Sequence, residues 1–131
     1  IVILGIFASI ALPKFSETKK QSDIAKGRAD VMTIRAAIAN ERAAQVVKGV
    51  MSYIPKLSVS TASSTLFTGD GSRTLLTYGM KAGLDSGSWT IVNDTTYTFK
   101  VDDSINTFTY SPNDFGKFLC TSGTLCSNLA E

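Results

Sequence analysis

Residues 1–14 read IVILGIFASIALPK, and this stretch, with the helical run that follows it to about Lys48, decides the fold. The first twelve residues carry no charge and one hydroxyl, that of Ser9; Pro13 and Lys14 then arrive together. A bilayer-spanning helix needs about 20 apolar residues, whereas twelve make roughly 18 Å of helix at 1.5 Å per residue. The stretch is too short to span by itself, which leaves three readings. A signal-peptide core would sit between a basic segment and a small-residue cleavage site, and the sequence around it has neither. The second reading is a buried core helix. The third is the later half of a longer apolar segment, and the start at Ile1 rather than Met favours it.

Beyond Lys14 the chain turns polar but keeps helical spacing. Lys19 with Asp23, Asp23 with Lys26 and Lys26 with Asp30 stand at neighbour separations on a helix, each pair worth tenths of a kcal/mol. Little there is apolar except Phe15, Ile24 and Ala25, as in an exposed stalk, and Gly27 weakens the helix by about 1 kcal/mol relative to Ala. From Ile24 an apolar stripe forms through Val31, Ile34 and Ile38, with Ala37, Ala44 and Gln45 beside it and Met32, Ala36, Ala39 and Ala43 broadening it. Spacings of seven, three and four are one helix face, which should pack on the rest of the chain. Gly49 is placed to cap the helix, and Pro55 ends any continuation.

The stretch from 50 to 88 is rich in Ser, Thr and Gly, with Leu57, Val59, Leu66, Phe67, Leu75, Leu76, Tyr78 and Met80 as scattered apolar anchors. It reads as a connecting loop with one helical turn from Arg73 to Tyr78 closed by Gly79 and a turn at Gly69-Asp70-Gly71. From Trp89 the period changes to two. Trp89, Ile91 and Asn93 form one alternating set, Tyr97, Phe99 and Val101 a second, and Ile105, Thr107 and Thr109 a third. Turns fall at Asn93-Asp94 and Asp102-Asp103-Ser104, so three short strands in an antiparallel meander are expected, with the Tyr97 face covering the helix stripe. Asp102 and Asp103 suit a turn better than calcium, because their spacing matches no regular ligand pattern. The fold class is therefore α+β: a long N-terminal helical spine on a small antiparallel sheet.

The opening stretch also resembles the second half of the N-terminal helix of type IV pilins and pseudopilins. Gly5, Ile6, Ala8, Ile10, Ala11, Leu12 and Pro13 match the family's Gly-Ile-x-Ala-x-Ile-Ala-x-Pro ending. The close match covers the first fifteen residues. In that register about nine residues would precede Ile1, among them the family's methylated first residue and its glutamate five places in, so processing is assigned to no residue here. The resemblance implies that Ile1, Val2, Ile3, Leu4, Ile6, Phe7, Ile10 and Leu12 first lie in a membrane and then in a filament core. Residues 14–131 would be the head with the rest of the spine, 50–88 the exposed αβ-loop, 89–121 the antiparallel sheet, and the end of the chain a disulfide-closed loop. Gly5 and Pro13 would weaken the helix. Between them it either kinks modestly at the membrane surface, where Lys14, Lys19 and Lys20 meet headgroups, or, as in pilin filaments, loses helical structure when the filament stretches.

Cys120 and Cys126, six apart in the tail, read as a disulfide in an exported domain, closing a C-terminal ring worth roughly 2 kcal/mol. With no His and no second Cys pair, zinc is not expected. Catalytic residues and cofactors are not expected either, since most base and triad schemes need His and no phosphate-binding Gly loop follows a strand. Net charge is +2, but residues 1–56 carry nine basic and four acidic side chains and 57–131 four and seven. A basic helix and an acidic head would attract one another between copies.

The expectation is a structural subunit of a type IV pilus or secretion pseudopilus. It would sit in the inner membrane with its head in the periplasm and then polymerise with other copies and related pilins, through an assembly platform and an extension ATPase that the resemblance implies. One rival is a single-span-anchored binding module that holds a ligand on Trp89 and Tyr97; exposure of those rings would favour it and burial of Trp89 against the spine would favour the filament. Another is a minor tip pilin contacting a surface or DNA through Lys14, Lys19, Lys20, Lys26 and Arg28.

Overall fold

The computed structural model describes residues 2–130, with side chains from 18 to 130. Helix α1 is one element of 46 residues, Val2–Val47. It stops where Gly49 adopts φ 88°. The Val50 N–H donates to the Gln45 carbonyl (2.8 Å) and the Gly49 N–H to that of Val46 (3.0 Å), the paired bonds that close a helix through a left-handed glycine. The stripe is buried at Ile24, Val31, Ile34, Ala37 and Ile38. It is narrower than the sequence suggested. Met32, Ala36, Ala39, Ala43 and Ala44 are exposed, and the next buried position is Glu41. Three-to-four spacing carries the face onward to Glu41, and small alanines tolerate either environment, so they misled the count.

Strands β3 (Trp89–Asn93), β4 (Thr96–Val101), β5 (Ser104–Ser111) and β6 (Lys117–Ser122) form an antiparallel meander in chain order. The sheet has four strands where three were expected. The β3–β4 turn falls at 94–95, one residue later than anticipated, held by Asn93 Oδ1 accepting from the Thr95 N–H at 3.0 Å. At the β4–β5 turn Asp102 has φ 55°, a conformation Asp tolerates better than most residues. Tyr97, Phe99 and Val101 are buried, as their alternation required, and Trp89, Phe108, Tyr110 and Phe118 join them. Phe108 and Phe118 stack at 5.2 Å, Trp89 and Phe99 meet at 4.9 Å, and Phe67 lies 4.5 Å from Tyr97. Such ring pairs add about 1 kcal/mol beyond area burial.

The connection between α1 and β3 contains β1 (Thr65–Leu66) and β2 (Met80–Lys81), paired antiparallel. The helical turn expected over 73–78 is not formed. That segment runs back along 67–69 instead, with the Leu75 N–H on the Thr68 carbonyl and the Leu76 N–H on that of Phe67, each at 3.0 Å. Its turn is the expected one. Asp70 Oδ1 accepts from the backbone of Ser72 (2.9 Å) and Arg73 (2.7 Å), and Gly69 and Gly71 both have positive φ. Of the apolar anchors, Leu57, Leu66 and Phe67 are fully buried, together with Ile54, whereas Val59 and Tyr78 are exposed.

Cys120 and Cys126 are bonded, joining β6 to a short helix α2 (Cys126–Ala130). Leu129 of α2 is buried. It packs where α1 has Gly27: a Cβ at that position would sit 2.7 Å from Leu129 Cδ2 and closer still to Phe99. The glycine is therefore a contact surface, in addition to being a weak helix former. Buried Asn106 fixes the ring to β5, its amide accepting from the Leu125 N–H at 3.0 Å.

Candidate functional site

The side chains of α1 meet the head through a row of polar bonds at helical spacing. Asp23 accepts from Ser86 Oγ at 2.6 Å. Lys26 donates to the Gly87 carbonyl (2.8 Å) and to Asp30 (3.0 Å). Asp30 in turn accepts from the Trp89 indole N–H at 3.0 Å. On a neighbouring line, Arg28 Nε bonds the Asn128 carbonyl (2.9 Å) and Arg35 Nε that of Phe118 (3.0 Å). Arg35 also reaches the Ala130 carbonyl at 3.4 Å. Two arginines seven residues apart thus hold α2 and β6 against the spine.

At the far end of the row Glu41 pairs with Arg73. Arg73 Nε is 3.0 Å from Glu41 Oε2, and its Nη2 donates to the Ser52 carbonyl at 2.9 Å. Hydrogen bonding to Glu41 raises the Arg73 pKa above its already high ordinary value, against desolvation. The pair fastens the connection to the helix at two points in the chain. Deeper in, Tyr97 shares a 2.6 Å hydrogen bond with Ser58, and Tyr110 donates to the Ile54 carbonyl at 2.7 Å. Burial pushes the Tyr97 hydroxyl up to about 12, with the Ser58 bond opposing it, and raises that of Tyr110 as well.

Below Asp23, towards the start of α1, the head leaves a cavity of ≈ 220 Å³ lined by Lys19, Lys20, Asp23, Ser86 and Asp102. Ser86 links two of the other lining residues: its hydroxyl donates to Asp23 and accepts from the Asp102 N–H at 2.8 Å. Among the described residues neither Lys19 nor Lys20 is within ion-pairing distance of an acid, so the expected Lys19–Asp23 pair is not formed. Ser86 has taken that carboxylate instead.

The residues assigned to a membrane or filament core (Ile1, Val2, Ile3, Leu4, Ile6, Phe7, Ile10, Leu12), and the helix-weakening Gly5 and Pro13, lie outside the residues whose side chains are described, as does Lys14. The helical backbone runs through 2–13. Among the described residues no helix is long and apolar enough to cross a membrane. Of the five basic residues considered for DNA, Lys26 and Arg28 are committed to holding the head. Among the described residues no group of three or more His, Cys, Asp or Glu could hold a metal ion, Asp102 and Asp103 included.

Sequence reading missed Ser86, Glu41, Arg73 and Asn106. Only Glu41 carried a signal, its three-residue step from Ile38; the others are matched to partners 7 to 63 residues away in the chain. In comparison with known proteins, the chain matches no family model, no curated protein and no solved structure.

Proposed function

We propose that this chain is a structural filament subunit of the type IV pilin kind. The observation that carries the reading is the division of a single helix: α1 is continuous over 46 residues, the head's described polar hold on it begins at Asp23, and the twelve uncharged residues precede that hold. An apolar helix offered beyond a head is suited first to a lipid bilayer and then to packing with copies of itself. Head-to-tail contacts that do not close generate a helical filament. The burial of Trp89 and Tyr97, 1% and 0% exposed, supports the filament over a module that holds a ligand on those rings. On this reading the subunit waits in the inner membrane with its head in the periplasm. Its partners are other copies, related pilins, an assembly platform and a cytoplasmic extension ATPase.

The test is electron microscopy of material sheared from cells expressing the whole gene, beside cells carrying Ile6→Asp with Ile10→Asp. Filaments that contain the protein in the first case and none in the second are expected. Protein that stays in the membrane fraction without filaments in both would overturn the reading.

A further inference from the structure

The cavity between α1 and the β4–β5 turn holds charges of both signs that do not neutralise one another. Lys19 and Lys20 line one ≈ 220 Å³ space with Asp23 and Asp102, yet among the described residues no ammonium there lies within 4.0 Å of a carboxylate. Opposite charges facing a common gap without closing it favour a guest that carries both signs. A lone anion would meet two carboxylates, and a lone divalent cation two ammoniums. A guest with an ammonium and a phosphate a few bonds apart meets neither penalty. Asp102 lines the cavity from the β4–β5 turn, where its φ is 55° and its N–H donates to Ser86 Oγ.

The place of the cavity along α1 says where such a guest would come from. Lys19 stands seven residues beyond Leu12, roughly 10 Å along a helix, and helical side chains lean towards the N-terminus. The headgroup layer of a bilayer is about 5–7 Å deep on each side of the hydrocarbon, and lysine extends into it readily. We infer that this cavity binds the phosphoethanolamine headgroup of a membrane lipid, the phosphate against Lys19 and Lys20 and the primary ammonium against Asp102 and Asp23. The inference rests on the membrane-anchored state proposed above. It gives the subunit a seat on the membrane surface that holds the head in one orientation. A choline headgroup, whose quaternary ammonium has no N–H to donate, should fit poorly.

Purified full-length protein, partitioned between buffer and vesicles, tests this. Vesicles of phosphatidylcholine alone are compared with vesicles in which half of that lipid is replaced by phosphatidylethanolamine. Retention on the mixed vesicles should be roughly fivefold higher, the size expected of two solvent-exposed charge pairs. Asp102→Asn, a change the left-handed turn accepts, should abolish the preference, as should Lys19→Gln with Lys20→Gln. Asp103→Asn, which does not line the cavity, should leave it intact. Equal retention on both vesicles, or a preference that survives Asp102→Asn, overturns the headgroup site while leaving the anchored filament subunit standing. Failure to partition into either vesicle overturns both.

Discussion

The indole N–H of Trp89 and Asp30 Oδ2 meet at 3.0 Å, joining the first strand of the meander to the middle of the spine. The same carboxylate oxygen also receives Lys26 at 3.0 Å. Asp30→Ala would leave a buried indole donor without a partner, and a lost acceptor of this kind costs about 2 kcal/mol. Urea unfolding followed by the fluorescence of this one tryptophan should give a lower midpoint with an unchanged slope. Asp30→Asn, which keeps an acceptor, should lose less.

Glu41 and Arg73 make the other cross-link, with side chains 5% and 15% exposed. Removing one partner of a buried pair leaves the other uncompensated, at about 3 kcal/mol. Arg73→Leu alone should therefore be more destabilising than Arg73→Leu with Glu41→Leu, which replaces both charges by apolar groups. A double-mutant cycle in urea measures the difference. Additive effects of the two single changes would show that the pair is not coupled.

Gly27→Ala sets two effects against each other. In an exposed helix the change would stabilise by about 1 kcal/mol. Here the new methyl would press on Phe99 and stand 2.7 Å from Leu129 Cδ2, and overpacking of this kind costs about 1–3 kcal/mol. The net outcome expected is a loss of about 1 kcal/mol, read by thermal melting. Gly27→Ala together with Leu129→Ala should be less harmful than the sum of the two.

Alkaline pH should weaken the fold through its buried tyrosines. The hydroxyl of Tyr97 is held up at about 12 by desolvation, above the ordinary tyrosine value of about 10. The unfolded chain therefore loses its proton first. The stability that this hydroxyl contributes is complete below pH 10, falls as the pH rises towards 12, and is spent above that. Tyr110 acts in the same direction. The urea midpoint measured from pH 9 to 12 should fall, and Tyr97→Phe should flatten the curve.

Much of this architecture was legible where periodicity was long enough to speak. Ile24, Val31, Ile34 and Ile38 marked the covered helix face, and Tyr97, Phe99 and Val101 marked the inner face of the sheet, because each set repeats at the spacing of its own element. Strand β6 escaped notice because Gly116 and Gly123 bracket it and its only fully buried side chain is Phe118; two cysteines drew the same residues into a disulfide ring. The strands of the long connection are two residues each, shorter than any period that a pattern can reveal. Polar clamps are harder still. Arg73 and Ser86 are ordinary loop residues until the fold brings Glu41 and Asp23 to them, and the cavity beside Asp23 is legible only once α1 and the β4–β5 turn are side by side.

The bonds between spine and head run side by side from Asp23 to Glu41, over about 27 Å of helix. They are made by Asp23, Lys26, Arg28, Asp30, Arg35 and Glu41 to six separate points of the head. A pull along the axis of α1 would place them in shear, so that tension is shared among them and no single bond is peeled open ahead of the next. Force entering through the apolar end would reach the sheet distributed over its whole contact with the helix, the arrangement by which a lap joint outlasts a seam torn from one edge.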